Sequence, residues 1–339
     1  MRITQLLMVL FYLAVTFSAE AQTRVQLTLK KGWKFSREDN ASASGINFND
    51  ASWQSVEVPH DWAIYGPFDR SNDIHRMAIV QDGQTKATEH YGRTGGLPFT
   101  GVGWYRNRFS IPDFTGDKRV KIQFDGAMSN ARVYVNGKEA GYWPNGYNTF
   151  YLDITGLINN DGKENVLAVR LENFEEQSRW YPGAGLYRNV HLIVTDKTHI
   201  PIWGTYVTTP VVEKDVARVN VRTRVHASGE GNLKLVTEIR DKSFNTIASA
   251  ENTLSKADMG EFSQNLAVEN PQLWGIKQPN LYTAVSRLYE NNQLVDEYTT
   301  PFGIRTLEIK PNDGFYLNGE KIKFQGVCLH HDLGPLGAA

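Results

Sequence analysis

The feature that most constrains the fold of this chain is an alternation of apolar and polar residues with a period of two. Val120, Ile122 and Phe124 alternate with polar neighbours, and the same rhythm returns over residues 219–225 and 233–239. This period is typical of strands that bury one face, whereas an amphipathic helix repeats its apolar positions every three to four residues. No long helical pattern follows the N-terminal segment. The chain is therefore predicted to be all-β.

Short turn dipeptides separate several of these strands. Asn136-Gly137 follows the apolar-polar run 132–135, and Asn318-Gly319 separates residues 315–317 from 321–324. Asn and Gly accept the positive φ values that a two-residue hairpin turn requires. We therefore predict hairpins at both places, and a further strand break at Asn291-Asn292.

The first 21 residues are predicted to be a cleavable export signal. Arg2 supplies a positive charge, an apolar run covers residues 6–17, and small residues at Ala19 and Ala21 favour cleavage after Ala21. The apolar run is too short to span a membrane, which takes about 20 residues. We expect an exported chain without a membrane span, periplasmic or extracellular; a buried N-terminal helix is the alternative.

Chain length suggests two domains and part of a third, since 339 residues exceed one ordinary domain. The stretch 197–201 is the predicted boundary between two sandwiches. Residues 22–196 suit a jelly roll and residues 197–308 suit an immunoglobulin-like sandwich. Residues 309–339 open a new hairpin and are interpreted as the start of a third unit.

Charge and cysteine content exclude several classes of protein. The chain has 36 basic and 37 acidic side chains, a balance that argues against nucleic-acid binding. Its single cysteine, Cys328, excludes an internal disulfide, a cysteine-rich zinc site and an iron–sulfur cluster. Aromatic residues make up 12% of the chain, and such rings serve both sandwich cores and sugar-stacking surfaces.

Seven segments occur in the order found in one family. The chain resembles glycoside hydrolase family 2, close to its bacterial β-galactosidase branch. The segments that carry the resemblance are 58–62 (VPHDW), 101–106 (GVGWYR), 134–137 (YVNG), 179–188 (RWYPGAGLYR), 271–274 (PQLW), 302–305 (FGIR) and 326–332 (GVCLHHD).

The resemblance implies a sugar-binding jelly roll, an immunoglobulin-like sandwich and a catalytic (β/α)8 TIM barrel, in that order. Family members are retaining enzymes whose two catalytic glutamates lie on later barrel strands. A barrel takes about 250 residues, and the only glutamate in residues 309–339 is Glu320, beside a hairpin turn. We therefore interpret the chain as the N-terminal part of an exported β-galactosidase-like hydrolase, with no catalytic residue of its own and no expected activity alone.

The resemblance also suggests substrate contacts. Asp61 matches a position that sends a polar side chain toward sugar hydroxyls, although a loop-capping role is the alternative. His330 matches a substrate-contacting histidine at the end of the first barrel strand, which we predict over residues 321–326. Arg179 and Trp180 lie in an aromatic loop that forms either a wall of the sugar pocket or the edge of the jelly roll. Cys328 is predicted to pack in a core.

The sequence also bears on metal ions, cofactors, partners and alternative functions. No metal site is predicted, because adjacent histidines on a strand point to opposite faces, and no organic cofactor is implied. The expected partner is a β-galactoside oligosaccharide or polysaccharide, with homo-oligomerisation left open. A β-glucuronidase or β-mannosidase of the same family, a non-catalytic carbohydrate-binding protein and a structural or adhesive two-sandwich protein remain alternatives.

Overall fold

The computed structural model describes residues 23–69, 100–111, 117–159, 162–174, 183–228, 231–254, 260–329 and 336–339. Regular structure in these residues is almost entirely β-strand, with short 3₁₀ turns at Ala41–Ser44, Ala63–Tyr65 and Thr155–Leu157. The prediction of an all-β fold is thus confirmed. Within the described ranges, no helix has the length and apolar character needed to cross a membrane.

The first sandwich packs two antiparallel sheets against each other. Its strands are β1 (Val25–Thr28), β2 (Trp33–Ser36), β3 (Gln54–Val56), β4 (Gly101–Phe109), β5 (Lys118–Phe124), β6 (Ala131–Val135), β7 (Lys138–Trp143), β8 (Phe150–Asp153), β9 (Asn165–Asn173) and β10 (Val190–Asp196). One sheet has the order β1-β10-β5-β8, and the other has the order β3-β2-β4-β9-β6-β7.

The alternation seen in the sequence decides which side chains face the core between these sheets. Val120, Ile122 and Phe124 of β5 are fully buried there, as the period-two pattern predicts. The turn between β6 and β7 has positive φ at Asn136 (50°) and Gly137 (78°). The predicted hairpin is therefore confirmed.

The second sandwich has seven strands in two sheets. They are β11 (Thr205–Val212), β12 (Val216–Arg224), β13 (Leu233–Arg240), β14 (Thr246–Leu254), β15 (Glu261–Glu269), β16 (Tyr282–Glu290) and β17 (Gln293–Phe302). The sheets have the orders β11-β12-β15 and β14-β13-β16-β17. Seven antiparallel strands divided three and four form an immunoglobulin-like sandwich.

A small antiparallel sheet follows, built from β18 (Leu307–Lys310), β19 (Gly314–Leu317) and β20 (Glu320–Ile322). Asn318 has a φ of 52° between β19 and β20, which confirms the second predicted hairpin. The predicted strand over 321–326 needs correction, because β20 ends at Ile322 and residues 323–329 have no ladder partner among the described strands. Cys328 is exposed between Val327 and Leu329, each about nine-tenths exposed, so its predicted core packing is wrong.

The two sandwiches meet at a seam closed by a buried ion pair. Arg24 Nε lies 3.0 Å from Asp296 Oδ1, and its Nη2 lies 2.7 Å from Oδ2. Asp296 is fully buried and also accepts a 2.7 Å hydrogen bond from the Ile200 backbone N–H. Arginine matches the two oxygens of a carboxylate geometrically, so this contact fixes both distance and orientation across the seam.

Candidate functional site

Asp61 lies where three segments that are distant in the sequence come together. The His60 N–H donates to the Leu186 carbonyl at 2.8 Å, and the Trp62 N–H donates to the Ala184 carbonyl at 3.2 Å. Gly185 in turn exchanges two 2.9 Å backbone hydrogen bonds with Met128. The motif around residue 61 and the end of the motif at 179–188 are therefore neighbours in space.

Trp62 fits inside the first sandwich because two nearby residues, Gly103 and Gly185, are glycines and leave space there. Its indole is fully buried and stacks on Phe35, with ring centroids 5.5 Å apart. A Cβ on Gly103 would lie 2.3 Å from the indole, and a Cβ on Gly185 would lie 2.4 Å from the Tyr105 hydroxyl. Since the indole is part of the core, it does not offer a face to a sugar.

Asp61 itself is only 2% exposed. Its Oδ1 accepts a 3.1 Å hydrogen bond from the Ala63 N–H, which is the loop-capping geometry considered from the sequence. Its Oδ2 accepts a 2.9 Å hydrogen bond from the Ala338 N–H. The neighbouring Gly337 packs so closely on Ile64 that a Cβ there would lie 2.5 Å from the isoleucine side chain. One carboxylate oxygen thus orders the loop, and the other faces residues 336–339.

His60 is a neutral part of the same cluster. Burial, with a smaller contribution from the charge of Arg37, lowers the pKa of His60 to about 4. Its Nδ1 lies 2.7 Å from the Tyr105 hydroxyl, which is also 3.3 Å from the His60 carbonyl oxygen. The two contacts are satisfied together when Nδ1–H donates to the hydroxyl and the hydroxyl donates to the carbonyl.

Arg37 supports the other side of the loop. Its Nη2 donates to the Trp62 carbonyl at 2.8 Å, and its Nη1 donates to the Gly66 carbonyl. Burial lowers the pKa of Arg37. The guanidinium therefore orders the backbone around Asp61, and sequence reasoning missed this role because its partners are backbone carbonyls.

The remaining residues of the 101–106 motif anchor the loops beside the site. Fully buried Arg106 donates to Asp50 Oδ2 at 2.8 Å, and Trp104 Nε1 donates to Asp39 Oδ1 at 3.2 Å. Asp39 also binds Arg170 at 2.7 Å, and this hydrogen bond lowers the pKa of Asp39. A catalytic acid needs a raised carboxyl pKa, so Asp39 does not suit that role.

Two aromatic side chains near Asp61 are exposed, in contrast to Trp62. Tyr65 is 68% exposed and stacks on His60 with ring centroids 6.0 Å apart, and Phe68 is 59% exposed. Sequence reasoning did not single out these two residues. Their positions three and six residues after Trp62, beyond the buried motif, were the available signal.

The other predicted site residues lie outside the described residues: Arg179, Trp180 and His330. Glu320 is exposed on β20, beside the turn from β19. Groups of three or more His, Cys, Asp or Glu side chains that could hold a metal ion do not occur in the part of the chain that the structure describes.

The sequence matches two profiles of one family. Residues 28–196 match "Glycosyl hydrolases family 2, sugar binding domain", and residues 198–305 match "Glycosyl hydrolases family 2". Together with the two sandwiches, these matches identify the class: the chain belongs to glycosyl hydrolases family 2.

Particular relatives refine this assignment. The chain is 38% identical to the beta-galactosidase BoGH2A of Bacteroides ovatus over 96% of its own length and 37% of that protein. It is 31% identical to a beta-glucuronidase of Formosa agariphila, over 87% of this chain and 31% of the relative. A solved family 2 structure from Bacteroides cellulosilyticus superposes with a TM-score of 0.82 at 35% identity, covering 92% of this chain and 39% of that one. The chain thus spans between three- and four-tenths of the length of these relatives.

Proposed function

We propose that this chain is the N-terminal part of a retaining glycoside hydrolase that acts on β-galactosides. The observation that carries the proposal is the similarity to the beta-galactosidase of Bacteroides ovatus along 96% of the chain. Retaining hydrolysis needs two carboxyl groups about 5 to 5.5 Å apart. We assign both to the part of the relatives' length that this sequence does not span.

The role that we assign to Asp61 is to orient sugar hydroxyls. Its Oδ1 is fixed by the Ala63 N–H, so the direction of Oδ2 is set before any ligand binds. Oδ2 already accepts a hydrogen bond from a backbone N–H, and a sugar hydroxyl is a donor of similar size. Exposed Tyr65 and Phe68 would supply the aromatic surface for the C–H edges of the ring. His330, Arg179 and Trp180 complete the proposed set of substrate contacts.

A β-glucuronide is the second candidate substrate, because one similar relative is named a beta-glucuronidase. A glucuronidase requires a cationic group that pairs with the substrate carboxylate. Arg37, the arginine that binds the Asp61 loop, already donates to the Trp62 and Gly66 carbonyls. This arrangement favours an uncharged sugar next to Asp61.

The decisive experiment compares the 339-residue chain with the product of the full natural reading frame. We expect nitrophenol release from p-nitrophenyl β-galactoside by the longer product only, and a lower kcat/KM on the β-glucuronide. Hydrolysis by the 339-residue chain, removed by a Glu320→Gln substitution, would contradict the assignment of the catalytic groups. A reading frame that closes at this length, with galactoside binding but no hydrolysis, would favour the non-catalytic carbohydrate-binding alternative.

The role of Asp61 is tested in the longer product. Asp61→Asn keeps an oxygen that can accept from Ala63 and removes the charge, but it turns an amide N–H toward the Ala338 N–H, so the melting temperature is measured together with the kinetics. Loss of a charge-assisted hydrogen bond costs about 1.5 to 3 kcal/mol, which is roughly a 10- to 150-fold fall in kcat/KM. The matched control is Asp241→Asn, whose carboxylate caps a turn of the second sandwich. Equal kinetic effects in both variants would leave Asp61 with a structural role alone.

Export and domain division complete the proposal. We assign residues 1–21 to a cleavable signal, 22–196 and 197–308 to the two sandwiches, and 309–339 to the start of the catalytic barrel. N-terminal sequencing of the secreted protein tests the first assignment, and we expect the mature chain to begin at Gln22.

A further inference from the structure

A cleft of about 790 Å³ opens at the seam between the two sandwiches, and none of its lining residues belongs to the Asp61 loop. Gln26, Gln123 and Ile193 line it on the sheet formed by β1, β5 and β10. Tyr298 and Thr299 of β17 line the opposite side. The volume is within the range of about 300 to 1,000 Å³ that is typical of sites for small ligands.

Trp203 stands at the mouth of this cleft with 51% of its surface exposed. The edge of its ring contacts Tyr151, with centroids 5.4 Å apart and planes at 65°. Its backbone N–H donates to the Tyr298 hydroxyl at 2.9 Å. The ring contact comes from the first sandwich and the backbone hydrogen bond from the second, so Trp203 lies between the two sandwiches while half of its surface stays in solvent.

A row of polar side chains crosses the sheet next to this indole. Thr28, His191, Gln123 and Tyr151 are successive cross-strand partners on β1, β10, β5 and β8. The Thr28 hydroxyl lies 3.0 Å from His191 Nδ1, and Gln123 Nε2 donates to Asp125 at 2.9 Å. Gln123 is the member of this row that lines the cleft, and its bond to Asp125 fixes the amide, so the amide needs little reorganisation to meet a ligand.

The charged side chains that line the cleft are already neutralised by protein partners. Arg24 forms the bidentate pair with Asp296, and Glu297 Oε2 lies 2.7 Å from Arg287 Nε. A charged ligand would have to compete with these pairs, whereas an uncharged ligand would not. The cleft therefore favours a neutral molecule that is rich in hydroxyl groups.

From these observations we propose that the seam cleft binds a neutral oligosaccharide, with one sugar ring packed on Trp203 and neighbouring hydroxyls bonded to Gln26 and Gln123. An aromatic face packs on the C–H edge of a pyranose, and planar amides match pairs of vicinal hydroxyls. Through this site the protein would stay bound to a glycan whether or not the glycan is hydrolysed. The proposal does not depend on the activity proposed above, because no residue of the Asp61 loop takes part.

Isothermal titration of the protein with neutral tetrasaccharides tests this proposal: β-1,4-galactotetraose, cellotetraose, xylotetraose and mannotetraose. We expect saturable binding of at least one, weakened about tenfold or more in Trp203→Ala. Phe244→Ala is the matched control, because Phe244 is also an exposed aromatic residue at positive φ in a turn (64°, against 56° for Trp203). The affinity of Phe244→Ala should equal that of the wild type.

Thermal unfolding of each variant shows whether a loss of binding comes from a loss of folded protein. If Trp203→Ala is not folded, Gln26→Ala replaces it, since Gln26 is an exposed residue of an edge strand whose truncation leaves the core intact. Binding of none of the four sugars would overturn the proposal, and so would equal affinity in the wild type and the folded cleft variant. Equally tight binding of tetragalacturonic acid would overturn the preference for a neutral ligand. Loss of binding in Asp61→Asn alone would assign the bound sugar to the Asp61 site instead.

Discussion

At the scale of single residues, close packing decides which positions tolerate change. Trp62 occupies its place because Gly103 leaves the space beside its ring, and β4 is buried on both faces at that point. The glycine is therefore required by the indole it faces.

Gly103→Ala is expected to destabilise the fold. The added Cβ would lie 2.3 Å from a fully buried ring, and overpacking of this kind typically costs about 1 to 3 kcal/mol. Gly156→Ala is the matched control, since a Cβ there meets nothing within 4 Å. Urea denaturation followed by tryptophan fluorescence measures both, and equal stabilities of the two variants would contradict this account of the motif.

His199 forms a second contact between the two sandwiches, and the stability of this contact depends on pH. Its Nε2 lies 3.0 Å from Lys121 Nζ, and its Nδ1 lies 3.0 Å from the Lys197 carbonyl oxygen. Its ring stacks on His226 at 5.5 Å. Burial, followed by the charge of Lys121, lowers the pKa of His199 to about 4.

This depressed pKa predicts loss of stability in mild acid. Above about pH 6.5 the ring is neutral in both states, and between 6.5 and 4 only the unfolded chain takes up the proton, so stability falls as pH falls. A shift of this size corresponds to about 3 kcal/mol by pH 4. Melting temperatures measured from pH 7.5 to 4.5 should fall more steeply for the wild type than for His199→Gln. Parallel curves would mean that His199 titrates normally.

At the scale of strands and turns, much of the architecture could be predicted from the sequence. Alternation identified β5, β12 and β13, because burial of one face imposes a period of two on any strand. Turn dipeptides located two hairpins, because few residues tolerate positive φ.

The surroundings of Asp61 could not be predicted in the same way. They depend on hydrogen bonds from residues 60 and 62 to residues 186 and 184, more than a hundred positions away. Local patterns carry no information on such pairings, and the burial of Trp62 follows from them. The exposure of residues 323–329 was missed for the same reason, since a strand also needs a partner.

The turn residue Asn136 does more than permit a tight bend. Its Nδ2 donates to the Leu157 carbonyl at 2.7 Å and to Asn165 Oδ1 at 2.8 Å, and its Oδ1 accepts from the Val166 N–H at 2.9 Å. The side chain thus connects the β6–β7 hairpin to the start of β9.

Asn136→Ala should lower the free energy of unfolding by about 2 kcal/mol more than Asn291→Ala, because buried hydrogen-bonding groups lose their partners. Both asparagines have nearly the same positive φ (50° and 51°), so the backbone cost cancels in the comparison. Asn291 is exposed and accepts a single 3.1 Å hydrogen bond from the Asn232 N–H. Equal losses in chemical denaturation would show that the turn geometry alone matters.

At the scale of the whole molecule, the seam determines whether the sandwiches behave as one body. Arg24→Ala leaves the carboxylate of Asp296 buried without its counter-charge, and breaking such a pair costs about 3 to 5 kcal/mol. Arg222→Ala is the control, because Arg222 and Glu261 form an exposed pair at 3.0 Å, worth less than about 1 kcal/mol. Differential scanning calorimetry should show a lower temperature for the first unfolding transition in Arg24→Ala, and an unchanged one in Arg222→Ala. A single transition at the wild-type temperature would contradict the role assigned to this pair.

The same ion pair joins residues 272 positions apart in the chain. The first sandwich can assemble without Asp296, since its last strand, β10, ends at Asp196. The Arg24 side chain stays hydrated until the second sandwich has brought the carboxylate into place. Joining the two sandwiches is therefore a late step in the folding of this chain, because it requires a residue from each end.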